Sequence, residues 1–323
     1  MTTHLSASRP SGELRLVAKV AWMYHEEGQK QDAIAQELHL SQSKVSRLLK
    51  VAAQEGIVRT IVQPPPGVFT ELEAEVEHAF GLEECVLVEN RATEAAVLND
   101  LGAAAADLLM ASLLDDEIVG ISSWSATWVS AAQHMRRFRT PVASHVVQLV
   151  GGVGSPQVQT QATLLLDRFA RVMGAEPVFM QTPGVLGDDR SRDILMADPT
   201  IKRVTDLWNR LTIALIGIGS VEPSPLLRES GNVMPDAITD HLRSLGGVGD
   251  ICNRYFDAEG RSLEAGIDGR VAGITLEQLR RIPRRVAAAG GVRKVGAIRG
   301  ALAGGWVTTL ITDADTARAL VTG

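Results

Sequence analysis

The sequence has few cysteines and few aromatic residues, and it lacks a long apolar run. Its two cysteines, Cys85 and Cys252, lie outside any CxxC or Cys/His pattern, so we expect no structural zinc site and a reducing compartment. Aromatic residues make up only 4% of the chain, which favours a helix-covered parallel sheet over a β-sandwich. No window approaches the ~18 unbroken apolar residues of a membrane span. Residues 1–13 are polar, unlike a signal peptide, and we expect them to be a disordered tail of a cytoplasmic protein.

The chain is slightly acidic, with 32 lysine and arginine residues against 38 aspartate and glutamate residues, a net charge of −6. A protein of this charge is not coated in cations that bind nucleic acid. Any contact with DNA must therefore come from a local patch. The length of 323 residues indicates about two domains.

Residues 14–63 are predicted to form a helix-turn-helix domain, winged-helix-like at its end. Two short helices are joined by a tight turn, and Ser41 is a good N-cap for the second of them. The predicted elements are a helix from Leu14 towards Gly28, a helix over 32–38, the turn His39-Leu40-Ser41, a helix from Gln42 to about Glu55 and a short strand from Ile57 to Val62.

The outer face of the third helix carries hydrogen-bonding and cationic side chains, which base edges and phosphates require. From residue 39 to residue 60 there are four cationic residues and one acidic residue, a local charge of +3. A solvated helix face is the alternative. Because the side chains of this outer face and the local positive charge both suit DNA, we expect this helix to bind operator DNA. The predicted DNA-binding residues are Gln42, Ser43, Lys44, Ser46, Arg47 and Lys50.

The stretch Pro64-Pro65-Pro66-Gly67 is a rigid breaker that marks a domain boundary. We predict a linker and connecting helix over residues 64–82. The helix, Thr70–Phe80, carries apolar residues that need cover, which makes it a candidate surface for self-association. Since a lone helix-turn-helix offers few phosphate contacts, we expect a homodimer or homotetramer. The apolar residues in question are Leu72, Val76, Ala79 and Phe80.

Residues 83–323 alternate apolar runs with helical patterns, which predicts a Rossmann-like, mostly parallel α/β sheet with helices on both faces. The ligand of such a sheet lies at the carboxyl ends of the strands. The predicted strands are Cys85–Val88, Ile118–Ile121, His145–Val150, Pro177–Met180, Ile213–Ile218, Val271–Ile274, Arg285–Ala288 and Trp306–Ile311. The predicted helices are Thr93–Leu114, Thr127–Phe138, Gln161–Met173, Pro235–Leu245, Arg293–Leu302 and Ala314–Val321.

Five polar or glycine-rich stretches follow predicted strands, which indicates a small-molecule pocket. The first, Ser122–Thr127, places hydroxyls and backbone amides at a helix N-terminus, a ready anion site. The last, Gly290–Lys294, puts a cation in the first turn of a helix, where a bound anion would offset the unfavourable dipole. The alternative is that Lys294 is exposed to water and binds no anion. The other three stretches are Gly151–Ser155, Gly217–Glu222 and Gly246–Asp250.

Several fingerprints of enzymes and cofactors are absent. Gly152-Val-Gly154 and Gly217-Ile-Gly219 lack the third glycine of a dinucleotide site, which disfavours an NAD-linked dehydrogenase. There is neither a GxxxxGK[ST] loop for a nucleoside triphosphate nor a GxSxG elbow. We therefore predict no cofactor, no metal site and no catalytic residue.

Seven segments, in their order along the chain, carry a resemblance: QDAIAQELHLSQSKVSRLLKVAAQEGIV, GISSWSATW, VVQLVGGVG, ALIGIGS, LGGVGDICNRYFDAEG, RVAGITLEQLRRIP and AAAGGVRKVGAIRGALAGGWVTTLITD. In them the chain resembles the SorC family of sugar-binding transcriptional regulators. The resemblance implies an effector domain similar to ribose-5-phosphate isomerase and glucosamine-6-phosphate deaminase. It also implies a dimer or tetramer whose affinity for operator DNA is tuned by a sugar, polyol or sugar phosphate.

The resemblance also assigns effector-binding residues. The loop around Trp124 cradles the effector's phosphate or polar head, Asp250 faces the pocket from a turn, and Lys294 lies near the effector. The family usually has Gly-Arg where this chain has Ser125-Ala126, which leaves a neutral sugar or polyol as an alternative to a phosphorylated effector. The implied effector-binding residues are Ser122, Ser123, Trp124, Ser125, Thr127, Gln148, Asp250 and Lys294.

Two functions of this pocket are expected as alternatives. In a regulator, the ligand's anionic end lies toward Thr127 and Lys294 and its hydroxyls lie toward Asp250. The runner-up is a sugar-phosphate isomerase or deaminase with an appended DNA-binding domain, in which Asp250 or Glu222 is a general base and Lys294 an electrophile or Schiff-base former.

Overall fold

The computed structural model describes residues 12–59, 61, 63–153, 156–222, 236–263 and 266–322. The chain divides into two compact units, with the division between Pro64 and Pro65. Of the tail expected over residues 1–13, residues 1–11 lie outside the described residues. Gly12 and Glu13 belong to the first helix.

The first unit is a bundle of three helices whose apolar faces meet in one core. His39 takes a left-handed backbone, with φ of 54°, in the turn between the second and third helices. Ser41 then caps the third helix by accepting a hydrogen bond from the Lys44 backbone N–H at 3.3 Å. The helices are α1 (Gly12–His25), α2 (Gln31–Glu37) and α3 (Gln42–Gln54). Their fully packed core residues include Val17, Val20, Ile34, Val45 and Ala52.

The sequence predicted a strand from Ile57 to Val62, but the described residues of this segment, 57–59 and 61, are not in a strand. Thr60 and Val62 lie outside the described residues. The physical reason is at the end of α3. The Val58 N–H donates to the Ala52 carbonyl at 3.0 Å, and the Val58 side chain packs on the helical core. This segment therefore closes the third helix instead of pairing in a sheet.

The second unit is built on a seven-stranded, all-parallel sheet with the strand order β1-β10-β9-β5-β2-β3-β4. A separate three-stranded antiparallel sheet has the order β6-β7-β8. The strands are β1 (Glu84–Val88), β2 (Glu117–Ile121), β3 (Ala143–Gln148), β4 (Glu176–Val178), β5 (Ile213–Ile216), β6 (Gly219–Ser220), β7 (Gly247–Ile251), β8 (Arg254–Asp257), β9 (Arg284–Ala288) and β10 (Thr309–Asp313).

Helices cover the parallel sheet, and the buried residues form two separate cores against it. One helix, Glu94–Ser112, is long and apolar enough to span a membrane by length and composition alone; here its Leu101, Ala105 and Leu109 are buried in the core. The helices of this unit are α4 (Thr70–Phe80), α5 (Glu94–Ser112), α6 (Ala126–His134), α7 (Pro156–Met173), α8 (Asp189–Met196), α9 (Pro199–Trp208), α10 (Asp236–Ser244), α11 (Leu276–Arg281), α12 (Val295–Ala303) and α13 (Ala314–Thr322).

The predicted strand Val271–Ile274 is wrong, because this segment makes only isolated bridges. The buried guanidinium of Arg254 occupies its carbonyl groups, donating to Gly273 at 3.0 Å and to Ile274 at 3.1 Å. In the described part of the chain these two carbonyl groups accept from the guanidinium and from no backbone N–H of a neighbouring strand. Sequence reasoning also missed the hairpin β7–β8 and the helices α8, α9 and α11, and Pro235, the expected start of α10, lies outside the described residues.

Most of the apolar side of α4 is covered by its own unit, although Ala79 is exposed. Val76 is fully buried, and Leu72 and Phe80 pack against the same core. The acidic side chains of α4 also bind the edge strand: Glu77 accepts from the Cys85 N–H at 2.8 Å and Glu73 from the Leu87 N–H at 3.0 Å. This helix thus caps a sheet edge, and self-association through it stays a prediction.

Candidate ligand-binding site

A polar cavity of about 510 Å³ lies at the carboxyl ends of β2 and β5. These two strands are neighbours, and the chain leaves them in opposite directions across the sheet. This is a topological switch point, where open parallel sheets bind their ligands. The cavity is lined by the Ser122–Thr127 loop, the Gly217–Glu222 stretch, the β7–β8 hairpin and the turn that ends at Lys294.

The serines of the Ser122–Thr127 loop are used mainly to shape the loop. Ser122 Oγ accepts from the Gly217 N–H at 3.2 Å, which ties the ends of β2 and β5 together. Ser123 Oγ donates to the Val150 carbonyl at 3.0 Å. Ser125 caps α6, accepting from the Trp128 N–H at 3.5 Å. Among the described residues the Thr127 hydroxyl has no hydrogen-bond partner, so it is the hydroxyl of this loop that is free for a ligand.

Gln148 does not line the cavity, although the resemblance implied an effector contact there. Its side-chain amide donates to Ser123 Oγ at 2.8 Å and to the Val150 carbonyl at 2.9 Å. Its Oε1 accepts from the Met180 N–H at 2.9 Å. Because both amide hydrogens are occupied, Gln148 positions Ser123 and has no donor left for a sugar.

Asp250 faces the cavity from strand β7, not from a turn between a strand and a helix as expected. It pairs with Gly219 across the small sheet, and a Cβ at Gly219 would lie 2.0 Å from Asp250 Oδ1. The run Gly-Gly-Val-Gly-Asp is glycine-rich for two reasons: Gly246 has a positive φ of 81°, and packing excludes a side chain at Gly249, where a Cβ would meet Ala297 Cβ at 2.6 Å. The glycines here serve a close approach between elements and not a phosphate turn.

The carboxyl of Asp250 is poised between its charged and neutral forms. Burial raises its pKa to about 6 from an ordinary value of 3.8, and this effect is opposed by a hydrogen bond from the Asn253 N–H and by the charge of Lys294. The Asn253 N–H lies 3.0 Å from Asp250 Oδ2. A ligand hydroxyl that donates to Asp250 would favour the ionised form.

Lys294 also points into the interior of the site. Its ammonium donates to the Ile218 carbonyl at 3.0 Å. Burial lowers the pKa of Lys294, and the neighbouring Asp250 works in the opposite direction. The layout with the ligand's anionic end toward Thr127 and Lys294 and its hydroxyls toward Asp250 stays a prediction. Asp250 and Lys294 line the same cavity and each shifts the pKa of the other.

The turn that carries Lys294 is held by Asp313, a residue that sequence reasoning missed. Asp313 is buried at the end of β10 and accepts from the Gly291 N–H at 2.7 Å and from the Thr316 hydroxyl at 2.7 Å. A Cβ at Gly290 would lie 2.4 Å from Asp313 Oδ2, and Gly291 has a φ of 97°. The double glycine therefore has a geometric cause.

Other cavity residues absent from the sequence prediction are charged or amide-bearing. Arg243 lies 3.6 Å from Glu222, and Arg293 pairs with Glu94 at 2.8 Å. Asn253 and the indole of Trp124 each have a buried nitrogen with no partner in the described part of the chain. The signal that could have indicated Asn253 is its place in a left-handed turn, since Asn and Gly favour that backbone. The added residues that line the cavity are Arg243, Asn253 and Arg293, and Glu222, the general base of the enzymatic alternative, lines it as well.

The residues that the structure describes contain no cluster of three or more His, Cys, Asp or Glu side chains that would hold a metal ion. Cys252 lines the cavity, but burial raises the pKa of its thiol to about 12. A thiol of this kind stays protonated and unreactive at neutral pH. The cavity is thus suited to hydrogen bonding and charge pairing.

In the first unit, the outer face of α3 presents the predicted DNA-binding residues. Gln42, Ser43, Lys44, Arg47 and Lys50 are exposed, and Ser46 is half-buried. No ion pair is found for the three cations of this face within the described ranges. A helix face with unpaired cations and amide and hydroxyl groups is what a major groove accepts.

Gly219→Ala is expected to destabilise the second unit by about 1–3 kcal/mol, because the new Cβ overlaps the Asp250 carboxyl, which must shift and strain its hydrogen bond from the Asn253 N–H. Chemical denaturation followed by circular dichroism measures this. Gly296→Ala is the matched control, since a Cβ there meets nothing within 4 Å in helix α12; it should be neutral or stabilising. Equal stability of the two variants would contradict the placement of Asp250.

The pH dependence of stability is expected to report on Asp250. Because its pKa is raised to about 6 in the folded protein, its contribution is complete below pH ~4 and is lost as the pH rises through 6. Relative to Asp250→Asn, the wild type should lose about 2 kcal/mol between pH 4.5 and 7.5. Urea denaturation of both proteins between pH 4.5 and 7.5 measures the difference, and two parallel curves would refute it.

Comparison with known proteins places these features in a family. The model of a sugar-binding domain, Sugar-bind, matches residues 66–322. The chain is 32% identical over 308 residues to the deoxyribonucleoside regulator of Bacillus subtilis, covering 95% of this chain and 97% of that protein. It is 29% identical over 308 residues to the erythritol catabolism regulatory protein EryD of Brucella abortus, covering 95% and 96%.

A solved structure extends the likeness to both units. The full-length sorbitol operon regulator SorC from Klebsiella pneumoniae superposes with a TM-score of 0.73 at 26% identity, covering 97% of this chain and 100% of that chain. The match therefore includes the helical unit with its cationic third helix as well as the parallel sheet with its polar cavity. The chain belongs to the SorC family of sugar-binding transcriptional regulators.

Proposed function

We propose that this regulator binds an operator through α3 and that a sugar, polyol or sugar phosphate in the cavity changes its affinity for that operator. The observation that carries the proposal is the cavity at the switch point between β2 and β5, which is lined by the buried carboxyl of Asp250 and by the half-buried Lys294, each of which acts on the pKa of the other. Such a pair favours a polyhydroxylated molecule, because each hydroxyl can donate to Asp250 and accept from Lys294.

Operator recognition would rest on Gln42, Ser43, Lys44 and Arg47, with Arg47 or Lys44 the best candidate for a guanine. These four residues occupy the first two turns of α3, and all are exposed. In helix-turn-helix proteins the N-terminal part of the second helix meets the base edges. A regulator that binds the chromosome in this way works in the cytoplasm, and a two-fold dimer or a tetramer would read a pseudo-palindromic site.

The ligand class is supported by the chemistry of the cavity and by the relatives. The names of three similar proteins refer to a deoxyribonucleoside, erythritol and sorbitol, which are all polyhydroxylated or sugar-containing compounds. Ala126 supplies no guanidinium beside the α6 N-terminus, but Arg243 and Arg293 line the same cavity. A phosphate is therefore compatible with the cavity, and a neutral polyol needs only Thr127, Asp250 and Lys294.

An enzymatic alternative is favoured by one observation. Asp250, whose pKa burial raises to about 6, and Lys294, whose pKa burial lowers, form the kind of perturbed pair found in active sites. Relatives named as regulators argue for a non-catalytic role. Incubation with ribose 5-phosphate and glucosamine 6-phosphate, followed by chromatography, distinguishes the two: turnover would support the enzyme and no turnover the regulator.

The direct experiment on the regulator begins with selection of a binding site from random DNA. The selected duplex is labelled, and its binding is followed by fluorescence anisotropy with and without erythritol, sorbitol, thymidine and ribose 5-phosphate. An allosteric ligand is expected to change the dissociation constant by about 5- to 150-fold. Failure to select any duplex would refute the DNA-binding half of the proposal.

A further inference from the structure

Asn253 is a cavity residue whose side chain has no structural partner. It is 5% exposed, it lines the cavity, and its Nδ2 has no hydrogen-bond partner among the residues the structure describes. A buried amide left unpaired costs free energy. Its backbone N–H is occupied, because it donates to Asp250 Oδ2 at 3.0 Å.

Backbone geometry alone does not explain this residue. Cys252 and Asn253 form a two-residue hairpin turn between the paired residues Ile251 and Arg254, and both have positive φ, 54° and 62°. Turns of this type require φ > 0 at both positions, and glycine satisfies that requirement without adding a buried amide. Asparagine tolerates the conformation but brings an amide that the protein itself leaves unpaired.

The backbone bond from Asn253 to Asp250 sets the position of the two side chains. It holds Asp250 Oδ2 against the hairpin turn, so the carboxyl and the Asn253 amide belong to one wall of the same cavity. The carboxyl oxygens accept further hydrogen bonds, and an amide both donates and accepts. Because both groups line one cavity and their residues are joined by the backbone bond, they can serve two neighbouring hydroxyls of one ligand.

We propose that the side-chain amide of Asn253 is a specificity-determining group, which hydrogen-bonds one hydroxyl of a vicinal diol while Asp250 binds the adjacent hydroxyl. This inference rests on the proposed function, because it assumes that the cavity holds a sugar or polyol. It goes further in naming the feature that the protein selects, a pair of adjacent hydroxyls. A ligand that lacks one of the two would lose the contact with Asn253.

The test uses two pairs of probes in which the second member lacks one hydroxyl and therefore an adjacent pair: glycerol against 1,3-propanediol, and ribose 5-phosphate against 2-deoxyribose 5-phosphate. Binding to the full-length protein is measured by ligand-observed saturation-transfer NMR, which detects millimolar affinities. For wild type, we expect the diol member of at least one pair to bind about five- to tenfold more tightly, the effect of one hydrogen bond. In Asn253→Gly this ratio should fall to about one.

Two further variants separate recognition from folding. Asn253→Gly keeps a residue that accepts positive φ, so the turn is preserved. Asp116→Gly is the matched control, because Asp116 is exposed, has φ of 62° and lies outside the cavity; its diol preference should equal that of wild type. A purely structural role for Asn253 would weaken both members of a pair equally and leave the ratio unchanged.

Three outcomes would overturn the inference: an unchanged ratio in Asn253→Gly, no diol preference in wild type, or no binding of any probe. These results are distinguishable from failure of the proposed function. A protein that still binds a selected operator, and releases or tightens it with a ligand lacking adjacent hydroxyls, would remain a regulator with a different selectivity. A protein that binds no operator would lose the proposed function whatever its diol preference.

Discussion

Arg47→Ala is expected to weaken binding to the selected operator by about ten- to a hundredfold per recognition helix. Arg47 is exposed on α3 and has no ion pair in the described ranges, so its guanidinium is available to a guanine edge. A bidentate contact of this kind contributes about 1–3 kcal/mol of discrimination. Fluorescence anisotropy with the labelled operator measures the loss, and a library of single base-pair changes should show relaxed specificity at one position.

The matched control for Arg47 is Lys19→Ala, which removes an exposed cation from α1 of the same unit. It should leave the sequence preference intact. Lys50→Ala is expected to behave differently. It should weaken binding to all DNA sequences by the same factor, and the slope of log affinity against log salt concentration should fall by about one. Unchanged operator affinity in folded Arg47→Ala would show that α3 does not read this site.

Lys294→Met is expected to abolish the ligand response, with about ten- to a hundredfold weaker binding of the ligand, while operator binding survives. The substitution removes the ammonium that donates to the Ile218 carbonyl and opposes the charge of Asp250. Without that charge, the carboxyl of Asp250 is less readily ionised and accepts hydrogen bonds less well. Hydrogen bonds to charged groups contribute about 1.5–3 kcal/mol. Calorimetric titration with a ligand from the anisotropy screen measures the loss.

Lys202→Met provides the control for this prediction. Lys202 is exposed on α9 and does not line the cavity, so the same change of side chain should leave ligand affinity unaltered. Operator binding by Lys294→Met is measured in parallel to show that the protein is folded. A full ligand response in Lys294→Met would mean that the ligand does not depend on the Asp250–Lys294 pair.

Local patterns were sufficient to predict the parallel sheet and most of its helices. Apolar runs such as 118–121 and 213–216 are buried strands, and periodic segments such as 94–112 are helices. Their periodicity is a property of each segment alone. The helix-turn-helix was predicted for the same reason, since Ser41 and the spacing of core residues in α3 act within a few residues of one another.

The parts that could not be predicted depend on residues far apart in the chain. Asp250 lies on a strand because Gly219 leaves room for its carboxyl, and the two are 31 positions apart in the sequence. The segment 271–274 is not a strand because Arg254 binds its carbonyls. Gln148 reaches Met180 and Ser123 rather than the cavity. In each case a tertiary contact overrides the local pattern.

The central claim is that occupancy of the cavity changes affinity for DNA, and one measurement tests it most directly. The dissociation constant of the selected operator is measured by anisotropy, with and without a ligand that raises the melting temperature of the protein, for wild type and for Lys294→Met. We predict a change of at least about fivefold in wild type and none in Lys294→Met. A stabilising ligand that leaves the operator affinity of wild type unchanged would contradict the claim.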